Sequence, residues 1–256
     1  MPFDIIYSDL WTSPVLSLPG HRYYVLFVND YSNFLWTFSL SQKSQIFSTF
    51  LYFKIFIRTQ FEQDIKTIQC DNDREFDNGP FWDFCKVNGI SFHLSCPHTS
   101  PQNGKAERQI RTINNIVHTL LAHASLSSLF WHHALQMTTY LLNILPHKLL
   151  NYQSPLPILY QKDPSYSHLR VFGCLCYPLI PSTVINKLQP QSTPSGFLGI
   201  FHIIVGINAL ICYLEKSLLV VMSYLMRRNF LLRRYILIDF WIMGRHPIWS
   251  IISILQ

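Results

Sequence analysis

The sequence predicts an α/β domain. Strand-like and helix-like stretches alternate over the first hundred residues. A turn of Asp30, Tyr31, Ser32 and Asn33 joins two runs rich in β-branched and aromatic residues. A long stretch at 102–124 repeats apolar residues at helical spacing. With 256 residues, 49% of them hydrophobic, the chain has the material for a sizeable core, and its composition argues against disorder.

Taken in order, residues 4–11 read as a short apolar strand. Residues 22–29 and 34–40 form a hairpin around the Asp30–Asn33 turn. Residues 43–60 place Ile46, Phe47, Phe50, Leu51, Phe53 and Ile57 on one helical face. A strand follows at 65–70, a short helix at 79–88 and a strand at 90–95 that ends at Pro97. In the helix at 102–124 the repeating residues are Ala106, Ile110, Ile113, Val117, Leu120 and Ala124, and Ser100-Pro101 suits its start. A further helix spans about 128–145 and stops at Pro146. Prolines then break the chain repeatedly, at 155, 157, 164, 178, 181, 190 and 194.

The net charge of +6 suits a polyanionic partner but is unevenly spread. Residues 1–199 hold 14 Lys and Arg against 12 Asp and Glu, so the excess sits in the tail, at Arg227, Arg228, Arg233, Arg234 and Arg245. The six cysteines show no zinc spacing, Cys174 and Cys176 read as part of a strand, and the pattern fits buried thiols in a reducing compartment. Asp4 interrupts the first apolar stretch, so no signal peptide is expected. Residues 197–214 carry no charge over 18 positions, the length of a membrane span, but His202 and Asn208 weigh against one.

Three carboxylates stand where strands end or a helix begins. Asp9 closes the first strand, Asp71 follows the strand at 65–70, and Glu107 lies in the first turns of the long helix. Strand ends crossed by a helix can gather three such groups. Their mutual repulsion needs a counter-ion, and two divalent cations about 3.5–4 Å apart supply one while promoting phosphoryl transfer. Hard oxygen ligands select Mg²⁺ or Mn²⁺ over zinc. Taken singly, each acid has a plainer reading: Asp9 or Asp71 as a turn residue, and Glu107 as an exposed side chain paired with Arg111.

The surrounding residues sharpen the reading. Ser8-Asp9-Leu10-Trp11, Asp71-Asn72 with Glu75-Phe76, the run SCPHTSPQNG at 95–104 and Lys105-Ala106-Glu107-Arg108 resemble the integrase of copia-type long-terminal-repeat retrotransposons, especially plant ones. So do Phe130-Trp131 with Ala134-Leu135, the run LRVFGC at 169–174, and Phe197-Leu198-Gly199. The resemblance extends in order over residues 3–199. It implies a ribonuclease H-like fold: a mixed five-stranded sheet flanked by helices, here with an irregular C-terminal extension. It implies trimming of the element's DNA 3′ ends by water, then attack of the 3′-hydroxyl on target DNA. It implies that Asp9, Asp71 and Glu107 are both the catalytic residues and the ligands of two Mg²⁺ or Mn²⁺ ions. Gln102, Asn103, Lys105, Arg108 and Arg111, around Glu107, are expected to meet DNA phosphates, with ordinary exposed polarity as the alternative. His93 is expected half-buried in its strand and His98 in a Pro-flanked loop. The expected partners are element and target DNA and, for an active chain, further copies of itself in the nucleus, with no obligate small-molecule ligand and no membrane.

The expected organisation is a catalytic core at 1–146, a Pro-rich segment at 147–199 and an apolar, basic tail at 200–256, out of frame or poorly ordered. After Phe197-Leu198-Gly199 the family continues with a polar stretch. Codon degeneracy allows the run at 203–211 and that at 216–223 to be displaced readings of it. Asp73-Arg74 replaces the family's glycine beside the second carboxylate, Thr12 another glycine, and His118 an arginine. These changes bear on activity and not on ancestry. The chain begins almost at its first catalytic strand, so the family's upstream His/Cys zinc module is expected to be missing. Two other readings stay open: a nuclease of the same fold that uses only water, and a nucleic-acid-binding remnant that holds no metal.

Overall fold

The computed structural model describes residues 1–71, 79–94, 104–177, 194–203, 207–214 and 217–223, with side chains as far as residue 200. Strands β1 (Ile5–Thr12), β2 (Tyr23–Asn29), β3 (Leu35–Leu40), β4 (Thr67–Cys70) and β5 (Ser91–Leu94) form one sheet in the order β3-β2-β1-β4-β5. The β1–β2 and β2–β3 pairs are antiparallel, whereas β1–β4 and β4–β5 are parallel. This is the mixed five-stranded sheet expected of a ribonuclease H-like fold.

Helices cover both faces. On one face, α1 (Ile46–Phe61) and α2 (Gly79–Val87) pack over Ile6, Val25, Phe27, Ile68 and Cys70. On the other, α3 (Gly104–His123) and α4 (Trp131–Ile144) cover Tyr24, Leu26 and Val28. Six of the seven residues of β2 are therefore buried, which explains why its sequence lacks the alternation of a half-exposed strand. The first face is largely aromatic: Phe27 stacks on Phe53 at 4.4 Å between ring centroids, and Phe50 on Phe81 at 5.0 Å.

The edge strand β3 is held by a side chain. Leu35 N–H donates to Asn143 Oδ1 (2.9 Å), and Asn143 Nδ2 donates to Leu35 O (2.8 Å), so the α4 amide satisfies a buried edge. Asn143→Ala leaves both backbone groups buried and unpaired. It is expected to cost roughly 2–4 kcal/mol, read as a lower urea midpoint with an unchanged m-value.

The first turn of α4 carries a histidine cluster. His132 packs 4.8 Å from the His21 ring and 5.2 Å from the His133 ring. Burial, with neighbouring histidine charge as the lesser cause, pushes His132 far down and His133 to about 4. The folded state thus favours neutral rings, whereas the unfolded chain takes up protons near the ordinary value of 6.5. Stability from these rings is complete above about pH 6.5 and is lost as pH falls towards about 4. The urea midpoint should fall across that window, and less so in His133→Leu.

Beyond Ile144 the structure departs from the sequence expectation in two places. A short helix α5 (Pro155–Tyr160) begins at a proline in its first turn, where the proline spacing suggested only loop. The uncharged run 197–214 divides between two strands of a second, antiparallel sheet, β6 (Leu175–Cys176), β7 (Ser195–Ile203), β8 (Ile207–Leu214) and β9 (Ser217–Ser223). An unbroken apolar run has no period that separates strand from helix, so composition alone allowed both. No helix among the described residues is long and apolar enough to cross a membrane. Phe197, Leu198 and Ile200 join the α3–α4 core, and Gly199, at φ +116, sits at a bulge where an added Cβ would lie 3.1 Å from Met137 Cβ. Residues 224–256 lie outside the described residues.

Candidate active site

The parallel register of β1 and β4 pairs Ser8 with Cys70. The next residue on each chain is the acid: Asp9 within β1, and Asp71 immediately after β4. Neighbouring strands lie about 4.8 Å apart, so the two acids are neighbours in space although far apart in sequence. Alternation assigns their side. Ile6 packs with the α1 face, whereas Tyr7 and Trp11 pack with the α3–α4 face, which makes Asp9 a resident of the latter. Ile68 and Cys70 belong to the α1 face, so the same alternation carries Asp71 to the α3–α4 side.

Both acids are half-buried. Asp9 Oδ1 accepts the N–H of Leu10 at 2.8 Å, which fixes the direction of that carboxylate. Their joint field reaches the Cys70 thiol. Burial chiefly, then Cys85, Asp9 and Asp71, raise its pKa well above the ordinary value. Burial, aided by Asp9, raises the phenol of Tyr24 too, and its hydroxyl bonds Asn114 Oδ1 of α3 at 3.1 Å. A β2–α3 tie thus stands beside Asp9.

Helix α3 is amphipathic: Ala106, Ile113, Val117 and Leu121 are buried against the sheet. Glu107 is exposed in its first turn, where the helix dipole favours an anion. Among the described residues no ion pair joins Glu107 to Arg111, so the plainer reading of Glu107 as half of such a pair is not realised. Arg108 and Arg111 are exposed, and Arg108 Nε donates to Gly104 O at 2.7 Å. The Lys105 ammonium instead contacts Asp30, with Nζ 2.9 Å from Oδ1 and 3.0 Å from the carbonyl oxygen, and lies 5.5 Å from the centre of the Tyr7 ring. Nothing in the sequence pattern linked Lys105 to Asp30, 75 positions away.

Of the expected ligands, the fold sets Asp9 and Asp71 side by side and mounts Glu107 on the helix that packs against β1. Among the described residues, no three His, Cys, Asp or Glu side chains stand close enough to hold a metal ion. Gln102, Asn103 and His98, and the acids Asp73, Glu75 and Asp77, lie outside the described residues. His93 is on β5 as expected but exposed, because β5 is an edge strand and its Ser91 and His93 face outward.

The chain is 41% identical over 198 residues to the retrovirus-related Pol polyprotein from transposon RE2 of Arabidopsis thaliana, a match covering 77% of the chain. It belongs to the copia-type retrotransposon Pol family. The transposon TNT 1-94 Pol polyprotein of Nicotiana tabacum is 34% identical over 197 residues, again 77% of the chain. The chain spans only 14% of the RE2 polyprotein and 15% of the TNT 1-94 polyprotein. No family model matches the chain. Among solved structures, the catalytic core domain of HTLV-2 integrase in complex with magnesium (trimeric form) aligns at TM-score 0.48 and 18% identity, over 62% of this chain and 98% of that one. The catalytic core domain of BIV integrase aligns at 0.46 and 14% identity, over 62% and 95%.

Proposed function

We propose that this portion of Pol is an integrase catalytic domain that joins retroelement DNA 3′ ends to target DNA. The observation that carries the reading is the pairing of Ser8 with Cys70, which makes Asp9 and Asp71 neighbours on adjacent parallel strands. Two half-buried carboxylates side by side repel unless a cation lies between them, and their hard oxygens suit Mg²⁺ or Mn²⁺. Asp9, Asp71 and Glu107 would hold two such ions. When bound, the ions supply activation of a hydroxyl nucleophile and stabilisation of the leaving oxygen.

The chain's own groups bind and orient. Leu10 N–H holds one oxygen of Asp9 and so orients that carboxylate. The exposed Arg108 and Arg111, with Gln102 and Asn103 ahead of α3, meet backbone phosphates and so set the register of DNA without reading its bases. Joining two DNA ends at one target calls for two active sites, so the proposed active form is a homo-oligomer in the nucleus.

The test is 3′-end joining by the purified chain, with element-end oligonucleotides, a target duplex and Mn²⁺ or Mg²⁺. Joined products carry the proposal. Nicking without joining indicates a nuclease that uses only water. DNA binding with no metal-linked heat in calorimetry indicates a non-catalytic remnant, and either of these results overturns it.

A further inference from the structure

The place of Lys105 beside Glu107 suggests a phosphate contact, but its own contacts are intramolecular. A lysine in the first turn of a helix is unfavourably placed, because the N-terminal end of the helix dipole is positive. A nearby anion offsets that cost, and Asp30 is the anion. Its carboxylate and its carbonyl both accept from Lys105 Nζ, and Lys105 is largely covered while Asp30 is about half exposed. Asp30 is itself held: its N–H donates to Ile5 O at 3.0 Å, and the preceding Asn29, wholly buried, accepts the N–H of Tyr31 on Oδ1. The ammonium also rests on the Tyr7 ring, two residues before Asp9 on the same face of β1.

Helix geometry relates this contact to Glu107. Successive residues turn by about 100°, so Lys105 and Glu107 occupy opposite flanks of the first turn, with buried Ala106 between them against the sheet. Rotation of that turn about its axis, which would swing Glu107, has to break the Lys105 contacts. First turns are otherwise prone to fray, since their N–H groups lack helical partners, and α3 begins at the conformationally free Gly104. We propose that Lys105 and Asp30 form a latch that fixes the first turn of α3, and with it the backbone that carries Glu107, and that Lys105 is a positioning residue and not a phosphate contact. This rests on the integrase reading.

The test uses the full chain with Lys105→Met, Asp30→Asn, both together, and Lys105→Arg. Mn²⁺ affinity is followed by electron paramagnetic resonance, and affinity for element-end DNA by anisotropy without metal at several salt concentrations. Each single neutralising variant should weaken Mn²⁺ binding ~10-fold, the double no more than either alone, with Lys105→Arg close to wild type. DNA affinity should stay within about twofold, with the same salt slope. A salt slope reduced by about one in Lys105→Met but not in Asp30→Asn marks a phosphate contact and overturns the latch. Should the wild type bind no Mn²⁺, the integrase reading fails separately, and amide exchange decides the latch: both single variants must speed exchange at Gly104–Arg108, and unchanged exchange overturns it.

Discussion

Asp71→Asn is expected to abolish 3′-end joining while leaving the fold in place. The substitution keeps the size of the side chain at the end of β4 and removes its charge. Loss of an outer partner of a metal ligand already costs roughly 10–100-fold, so loss of a direct anionic ligand should exceed about 100-fold. The backbone pairing of β1 with β4 up to Cys70 does not depend on this side chain. A second readout follows from linkage. Mn²⁺ that binds only the folded wild type raises its Tm, and that increment should vanish in the variant. Joining that persists in Asp71→Asn would remove this residue from the reaction. A variant that melts far below the metal-free wild type would mean that Asp71 is structural instead.

Gly173→Ala should be among the most damaging small substitutions outside the carboxylates. Gly173 has φ +83, where a side chain is strained, at a cost of roughly 1–3 kcal/mol. A Cβ built there lies 2.4 Å from Ala124 Cβ and 3.2 Å from Ala124 Cα, at the end of α3, so backbone has to move. Such overpacking adds about 1–3 kcal/mol. The strained residue is also a junction: Gly173 N–H donates to Phe197 O at 2.7 Å, and Phe197 N–H to Cys174 O at 2.8 Å, which ties this segment to β7. The urea midpoint should fall by an amount equivalent to roughly 2–6 kcal/mol in total. Adding Ala124→Gly should recover part of the loss, because it relieves the contact but not the φ. A cost under about 1 kcal/mol would show that α3 and this turn are less tightly packed than the structure has them.

Much of the first sheet could be read along the chain. The Asp30–Asn33 turn chemistry and its flanking aromatic runs locate β2 and β3, and helical spacing from Ala106 to Ala124 locates α3, although the structure buries Leu121 where the spacing pointed to Leu120. These are local signals, carried by residues within a turn or two of one another. Two features resisted that reading. The uncharged run at 197–214 matched a membrane span by length, yet Phe197, Leu198 and Ile200 are apolar because they close the core over α4. Asn143 reads as an ordinary polar residue of a helix, and only the position of Leu35 on an edge strand makes its amide a clamp.

By itself the sequence determined the chain's ancestry, the type of each main element and the acids worth suspecting, since motif wording and periodicity are properties of neighbouring residues. Tertiary structure alone decided that Asp9 adjoins Asp71, that Lys105 meets Asp30, and that Gly173 abuts Ala124. Each of these is a contact between segments remote in sequence, set by strand register and helix packing, and no local pattern encodes a distance between such segments.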